Sequence, residues 1–251
     1  MGLDAPVAQT SSQLYRQLVA CGYGERELAR VGQAYEVAAS LHSARFRPSG
    51  RPFICHAVGT ASILAALGAR IDGVLAGLLH GAYDQGDFGD GTLGIAPAKR
   101  RELRETFGEA VEARLAAFSA LAWDARDLRS LRRAAHGLDA TGREVLLLRL
   151  ANELEELLDL EILFRRDAGR RLEGLDAEVE VLVGLCEALD QPRLAAAFRR
   201  AAEPCKAARL PAALRTGVGA NHDRPPRALS PRLGVRAAAW SRRLRARFFP
   251  G

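Results

Sequence analysis

Two histidines stand at the edges of apolar stretches that the helical period marks as buried. His56 precedes the apolar run at 58–67, and His80 follows the run at 74–79. A neutral imidazole is a common ligand of divalent cations and titrates near neutral pH. From the pattern alone, a buried lone histidine is more often a hydrogen-bonded core residue than a ligand. The residues around the two histidines decide between these interpretations.

Three segments near these histidines carry distinctive residue patterns. Residues 45–56 read Arg-Phe-Arg-Pro-Ser-Gly-Arg-Pro-Phe-Ile-Cys-His, residues 76–80 read Ala-Gly-Leu-Leu-His, and residues 147–152 read Leu-Leu-Arg-Leu-Ala-Asn. In this order they resemble the segments R-x-S-G-x-P-Y-x-x-H-P, A-A-L-L-H-D and L-I-K-L-A-D of the RelA/SpoT-type (p)ppGpp hydrolase domain, a branch of the His-Asp (HD) superfamily. The resemblance implies an all-helical HD fold, a divalent cation such as Mn²⁺ and phosphohydrolase activity.

The resemblance also implies a metal site that is only partly retained. His56 and His80 match the two histidine ligands of the family. Gly81 stands where the family has the paired aspartate, and Asn152 stands where it has the last aspartate. Glycine has no side chain, and a neutral amide oxygen is a weaker ligand for a hard cation than a carboxylate. The expected site, His56, His80 and Asn152, is therefore degenerate.

The remaining candidate residues follow from the same resemblance. Asp84 is the one acid left of the family's acidic catalytic pair, because Gln85 occupies the second position. Arg47 matches the arginine beside the metal and substrate, although an arginine that only braces a loop would give the same pattern. We expect Asp84 to be the catalytic candidate and Arg47, Ser49 and Tyr83 to contact a ligand.

Two functions remain open at this point. The first is a non-hydrolytic HD-domain protein that binds a nucleotide or another phosphorylated ligand. The alternative is a metal-dependent phosphohydrolase that acts on (p)ppGpp-like nucleotides through a relocated site. In that site Asp84, four residues beyond His80, and Glu156, four residues beyond Asn152, would join His56 and His80 on one face.

The elements that must position these residues are helices. Apolar residues recur every three or four positions, and no alternating strand pattern is found, so we predict an all-α fold. Four glycines exclude a regular helix over 83–95 and predict a loop there. We expect one HD-like domain over 1–203, with its family-like core at about 25–165 and extra C-terminal helices. Helices are predicted at about 25–44, 97–107, 110–123, 141–164, 176–189 and 192–203, with further short ones around 14–19, 58–67 and 74–79.

The end of the chain differs in composition. The protein carries a net charge of +6, but residues 204–251 alone hold eleven Lys or Arg against one acid, a charge of +10. Prolines interrupt this tail at 204, 211, 225, 226 and 231, which predicts a largely disordered segment with a short helix at 235–249. An anionic membrane surface or an acidic partner suits such a tail, and nucleic acid is the weaker alternative because the rest of the chain is acidic.

The remaining composition favours the cytoplasm, with peripheral attachment to an inner membrane as a further expectation. The four cysteines are scattered and form no Cys-x-x-Cys pair, as in reduced proteins. Neither an apolar stretch of 18 residues nor a leader-like N-terminus is found. The sequence also lacks the glycine-rich phosphate loop and the nucleophile elbow of other phosphate and ester enzymes.

Overall fold

The computed structural model describes Leu3, residues 6–211 and residues 221–223, without the side chains of residues 125–127. Helices dominate, as predicted, and the fold is all-α apart from one pair of two-residue strands. The elements are α1 Ser11–Ala20, α2 Glu25–Leu41, β1 Arg45–Phe46, α3 Phe53–Ala66, α4 Ile71–Leu79, α5 Ala82–Gln85, α6 Pro97–Phe107, α7 Glu109–Ala120, α8 Ala125–Ala134, α9 Ala140–Leu158, α10 Ala168–Ala188, α11 Pro192–Ala207 and β2 His222–Asp223, with 3-10 turns at Ala135–Gly137 and Glu161–Phe164.

Helix α3 is the centre of the bundle. Its side chains are buried on nearly every face, and it packs against α1, α4 and α9. Such an all-round apolar helix belongs in a core rather than at a surface. Gly68, with φ of +77°, ends the α3 region in a left-handed turn that favours glycine. Helices α3, α4 and α9 carry the two histidines and Asn152, so the candidate site lies in the middle of the fold.

Helices α10 and α11 form a second layer against α9, and α8 packs on α10. Helix α10 contacts both α8 and α11, and α11 packs on α9. The buried residues Leu175, Val179 and Leu182 recur at helical spacing on α10. This periodicity repeats the pattern that predicted a helix here, although α10 begins eight residues earlier than the predicted 176.

The structure differs from the predicted elements in three places. Helix α5 occupies the start of the predicted loop at 83–95, because the glycines that exclude a helix begin only at Gly86. Helix α8 was not predicted. Helix α11 continues to Ala207, past the predicted helix end at 203, with Pro204 inside the helix. The short helix predicted at 235–249 lies outside the described residues.

One segment of the predicted tail contacts the bundle. β2 pairs antiparallel with β1, with Arg45 opposite Asp223 and Phe46 opposite His222. The Arg45 guanidinium lies 2.9 Å from the Asp223 carboxylate. Residues 212–220 and 224–251, which make up most of the segment predicted to be largely disordered, lie outside the described residues. Within the described ranges, no helix is both long enough and apolar enough to cross a bilayer.

Candidate functional site

His56, His80 and Asn152 meet in the core. The Nε2 atoms of the two histidines are 3.1 Å apart, and Asn152 Oδ1 lies 3.0 Å from His56 Nε2. All three side chains are buried. His56 lies in the first turn of α3, His80 follows the last residue of α4, and Asn152 lies in the middle of α9. Three potential metal-ligand atoms, carried by α3, the C-terminal end of α4 and α9, are therefore brought together around His56 Nε2.

The second nitrogen of each imidazole has a fixed partner. His80 Nδ1 donates to the Gly77 carbonyl at 2.8 Å, which leaves a lone pair on its Nε2. His56 Nδ1 faces the buried Glu155 carboxyl, whose other oxygen accepts from Arg51. Burial, and then the charge of Arg47, lowers the pKa of His56 well below its usual value. Burial and the neighbouring His56 lower the pKa of His80 to about 3, so the ring is uncharged at neutral pH.

This arrangement meets some requirements of a metal site and fails others. Ligands at right angles around a cation, with bonds of about 2.1 Å, lie about 3.0 Å apart, and His56 Nε2 lies at about this distance from both His80 Nε2 and Asn152 Oδ1. Metal-binding histidines also typically contact a carboxylate or a carbonyl through their second ring nitrogen, as His56 and His80 do. Two nitrogens and an amide oxygen carry no charge, however, and a hard cation such as Mn²⁺ prefers carboxylates. The donors present do not fit Mn²⁺ well.

The place of the missing aspartate is filled. A Cβ atom on Gly81 would lie 2.6 Å from Cζ of Phe53 and 3.2 Å from Cε1 of His42. The Phe53 and His42 rings pack at a centroid distance of 4.3 Å. Burial lowers the pKa of His42 to about 3, and neither of its ring nitrogens has a hydrogen-bond partner within the described part of the chain. An aromatic pair therefore replaces the carboxylate that the resemblance leads one to expect.

Arg47 lies between two buried acids. Its Nη2 atom is 2.6 Å from Glu156 Oε1, and its Nε atom is 2.5 Å from Glu161 Oε2. Burial alone would raise the pKa of Glu156, but the Arg47 guanidinium outweighs it and lowers that pKa to about 2. Burial and the charge of Glu156 raise the pKa of Glu161 to about 7. The Arg47 guanidinium is thus held by internal partners, and the residue is only 4% exposed.

Comparison with known proteins places the chain in a family. A family model described as the HD domain matches residues 34–171, more than half of the chain. This chain belongs to the HD-domain family. The chain is related to the RelA/SpoT-type hydrolases, and its family is a phosphohydrolase family.

The curated relatives of the HD domain are much longer. The bifunctional (p)ppGpp synthase/hydrolase SpoT of Escherichia coli is 32% identical over 95 residues, which cover 38% of this chain and 12% of SpoT. The bifunctional (p)ppGpp synthase/hydrolase RelA of Mycobacterium tuberculosis is 36% identical over 75 residues, 30% of this chain and 10% of RelA. The aligned part thus spans about a tenth of these relatives.

A solved structure is similar as well. Its description reads "A metazoan ortholog of SpoT hydrolyzes ppGpp and plays a role in starvation responses", and it aligns with a TM-score of 0.48 and 17% identity. The alignment covers 71% of this chain and 95% of that chain.

Three other predicted site residues of the HD domain are engaged in internal contacts. Tyr83 is fully buried and donates to Glu112 at 2.7 Å, so its ring packs in the core, and its contact with a ligand stays a prediction. Ser49 donates to Asp159 at 3.0 Å and thereby ties the loop before α3 to α9. Asp84 accepts from Ser119 at 2.6 Å.

The relocated metal site is not formed in this arrangement. Asp84 lies on α5 rather than on a continuation of α4, and its carboxylate contacts α7. Glu156 contacts Arg47 and the Asn152 amide nitrogen. Among the residues that the structure describes, no three His, Cys, Asp or Glu side chains are grouped so that they could hold a metal ion. The alternative that joins Asp84 and Glu156 to the histidines stays a prediction, and it would require both carboxylates to leave these partners.

Sequence reasoning missed the two acids that organise the site. Glu155 orients His56, and Glu161 shares Arg47 with Glu156. Glu153, Glu155 and Glu156 form an acidic run inside a helix that apolar periodicity predicts to be buried. Buried acids need cationic or hydrogen-bonding partners, so this acidic run could have indicated a buried polar site. The role of Phe53 beside Gly81 had no comparable signal.

Proposed function

We propose that this HD domain binds a nucleotide or another phosphorylated ligand without hydrolysing it. One observation carries the proposal: the Phe53 ring lies where a side chain at position 81 would project. The position of one anionic metal ligand is thus occupied by an aromatic ring, and the position of the other is held by the neutral Asn152. A cation bound by neutral donors alone lacks the ligand charge that anchors hard cations in phosphohydrolases.

The acids near the site support the same conclusion. A metal-dependent hydrolase needs a carboxylate that can orient or deprotonate the attacking water. The Asp84 carboxylate accepts a hydrogen bond from Ser119, and the Glu156 carboxylate is held by Arg47. Both acids have structural partners in the resting arrangement, which favours binding over catalysis.

Hydrolysis of (p)ppGpp in the presence of Mn²⁺ tests the proposal. The wild type should release no pyrophosphate above the rate of a His56→Ala/His80→Ala variant, measured beside the SpoT hydrolase of Escherichia coli as the active control. Turnover at an ordinary enzyme rate, on the order of 1 per second or more, that is lost in the double-alanine variant would overturn it.

A second candidate is a metal-dependent phosphohydrolase. One observation favours it: His56 Nε2 lies 3.1 Å from His80 Nε2 and 3.0 Å from Asn152 Oδ1, distances that suit ligands of one cation. Imidazole ligands suit zinc, iron or nickel better than Mn²⁺. Elemental analysis of the purified protein separates the candidates, since the first expects no stoichiometric cation and the second expects one that His56→Ala removes.

A further inference from the structure

An apolar groove opens between the C-terminal end of α9 and α11, with a volume of about 140 Å³. We call it the leucine groove, and its walls are formed by Leu3, Val7, Leu154, Leu157, Leu158, Leu160, Ala197, Arg200, Ala201 and Pro204. Every one of these residues except Arg200 is apolar. The groove can therefore shield a hydrocarbon from water, but its side chains offer few hydrogen-bond partners.

The helical period explains both walls of the leucine groove. On α9, Leu154 and Leu158 are four residues apart and share one face, with Leu157 beside them. On α11, the lining positions 197, 200, 201 and 204 recur at the same helical spacing. Two of the α11 positions are alanines, whose side chains are too short to fill the space between the packed helices. The groove is thus built by leucines on one helix and small residues on the other.

The leucine groove is separate from the histidine site. Asn152 and Glu156, which contact His56 and Arg47, precede Leu154 and Leu158 by two positions each. Two positions correspond to a rotation of about 200° around an α-helix, so the two sets of side chains lie on opposite faces of α9. The groove is therefore a second candidate site, and it does not depend on the proposed function.

The end of α9 keeps leucines where packing alone does not require them. Leu158 is 48% exposed, although its side chain is large and aliphatic. Leu160 has a left-handed backbone conformation, with φ of +54°. This conformation is unfavourable for leucine and easy for glycine. Both side chains nevertheless line the groove.

The rim of the leucine groove is basic. Among the described residues that line the groove, Arg200 alone is charged, and it is exposed. Arg209, also exposed, lies two residues beyond the end of α11, in the segment 204–251 that carries a charge of +10. Glu203 does not offset these charges, because it pairs with Lys206 at 2.6 Å. A basic rim beside aliphatic walls complements an amphiphile with an anionic head group and a hydrocarbon chain.

The size of the groove suits part of an aliphatic chain. An apolar cavity of about 150 Å³ can bind a hydrocarbon the size of benzene. Sites that enclose a whole small molecule usually measure about 300–1,000 Å³, so the groove is too small for a nucleotide. An extended peptide would bring backbone N–H and C=O groups that aliphatic walls cannot pair. An acyl chain brings no polar group and meets no such cost.

We infer that the leucine groove binds an acyl chain of an anionic phospholipid, with the chain against Leu158 and Leu160 and the head group beside Arg200. Each CH₂ group that the groove removes from water raises the affinity about fourfold, so the enclosed part of the chain determines the strength of binding. The groove would hold the domain at the same kind of anionic surface that suits the basic segment 204–251.

Titration calorimetry of the full chain with a short-chain phosphatidylserine tests the inference. The lipid carries two six-carbon acyl chains and is used at concentrations at which it is monomeric. Glycerophosphoserine, the same head group without acyl chains, is the matched ligand control. The wild type should bind the lipid at least about tenfold more tightly than it binds glycerophosphoserine, because the groove encloses several CH₂ groups.

Two pairs of variants separate the groove from the remaining surface. Leu158→Gln places a polar amide in the groove, and Val19→Gln makes a similar change at a residue of α1 that is 60% exposed and does not line the groove. Arg200→Gln removes the charge at the rim. Arg199→Gln is its control, since Arg199 pairs with Glu187 and does not line the groove. Circular dichroism confirms that each variant is folded.

The variants should differ in which ligand they affect. Leu158→Gln should weaken binding of the lipid about tenfold and leave binding of glycerophosphoserine unchanged. Arg200→Gln should weaken binding of both ligands about fivefold, because both carry the anionic head group. The controls at Val19 and Arg199 should stay within about twofold of the wild type.

Three results would overturn the inference. The first is equal affinity of the wild type and Leu158→Gln for the lipid, and the second is failure of the wild type to bind the lipid at about 1 mM. The third is a dimer of the wild type, seen by sedimentation velocity, that Leu158→Gln dissociates, which would assign the groove to a second copy of the chain. None of these measurements involves hydrolysis of (p)ppGpp, so the proposed function is tested separately.

Discussion

The Phe53 ring packs against Gly81 and fills the space that a side chain at position 81 would occupy. Gly81→Asp should therefore destabilise the protein by about 1–3 kcal/mol through overpacking. In a Phe53→Ala background the same substitution should cost clearly less, because the ring is gone. Urea unfolding of the four proteins measures this coupling, and equal costs in both backgrounds would refute it.

Restoring both acids tests the degenerate metal site directly. Gly81→Asp/Asn152→Asp adds the two anionic ligands and should raise the affinity for Mn²⁺ by about tenfold or more, as judged by electron paramagnetic resonance of free Mn²⁺. Asn152→Asp alone should give a smaller gain. No gain in the double variant, provided that it is folded, would mean that the three helices do not hold a cation here.

Arg47 should be among the most sensitive positions for stability. Arg47→Met leaves Glu156 and Glu161 buried without their shared cation and should cost about 3–5 kcal/mol in unfolding free energy. Arg30→Met is the control, since Arg30 and Asp72 form an ion pair with side chains that are 40% and 26% exposed. That substitution should cost less than about 1 kcal/mol. Similar losses at both positions would contradict the assignment.

Glu161 should make stability depend on pH. Its pKa is about 7 in the folded protein, above the 4.5 that is usual for a glutamate, so the folded state holds the proton more tightly. The resulting stabilisation is complete below pH 4.5 and is lost as the pH rises through 7, on the order of 3 kcal/mol. Glu161→Gln should flatten the decline between pH 5 and 8 in urea unfolding. An unchanged slope would show that other groups cause it.

The position of a truncation should decide its effect. Removing residues 212–251 deletes only β2 among the described elements, where Asp223 is 66% exposed, and should cost less than about 1 kcal/mol. Removing residues 204–251 also deletes the last turn of α11 with the fully buried Cys205, and should cost about 2 kcal/mol or more. Equal melting temperatures of the two truncated proteins would contradict this boundary.

We expect the basic tail to bind anionic vesicles. Residues 204–251 carry a charge of +10, and each base near an anionic surface contributes about 1 kcal/mol. The full chain should co-sediment with phosphatidylserine vesicles at low salt and dissociate as salt rises, whereas the chain ending at residue 211 should stay in solution. Neutral vesicles serve as the control. Sedimentation of both proteins to the same extent would exclude a role for the tail.

Local patterns predicted most helices, because apolar spacing and caps act within a few residues. Helix α1 begins after Thr10, whose side chain caps it together with Gln13. Helix α8 was missed because Leu128 and Leu131 stand among arginines and give only a narrow apolar stripe. The candidate site was harder to predict than the helices. The family segments predicted its metal-ligand atoms, but not the contact between Arg47 and Glu161, which are 114 positions apart in the sequence. Such partners depend on tertiary packing and not on local propensity.

The pairing of β1 with β2 has a consequence for the order of folding. Arg45 and Asp223 are separated by 178 positions, so their contact closes a very long loop. The entropy of that closure opposes the contact until the intervening helices have brought the two strands together. Because β2 pairs with only two residues of β1, we expect it to form last during folding and to detach while the helices remain folded. Its amide hydrogens should exchange with solvent much faster than those of α3, at a rate that does not follow global unfolding.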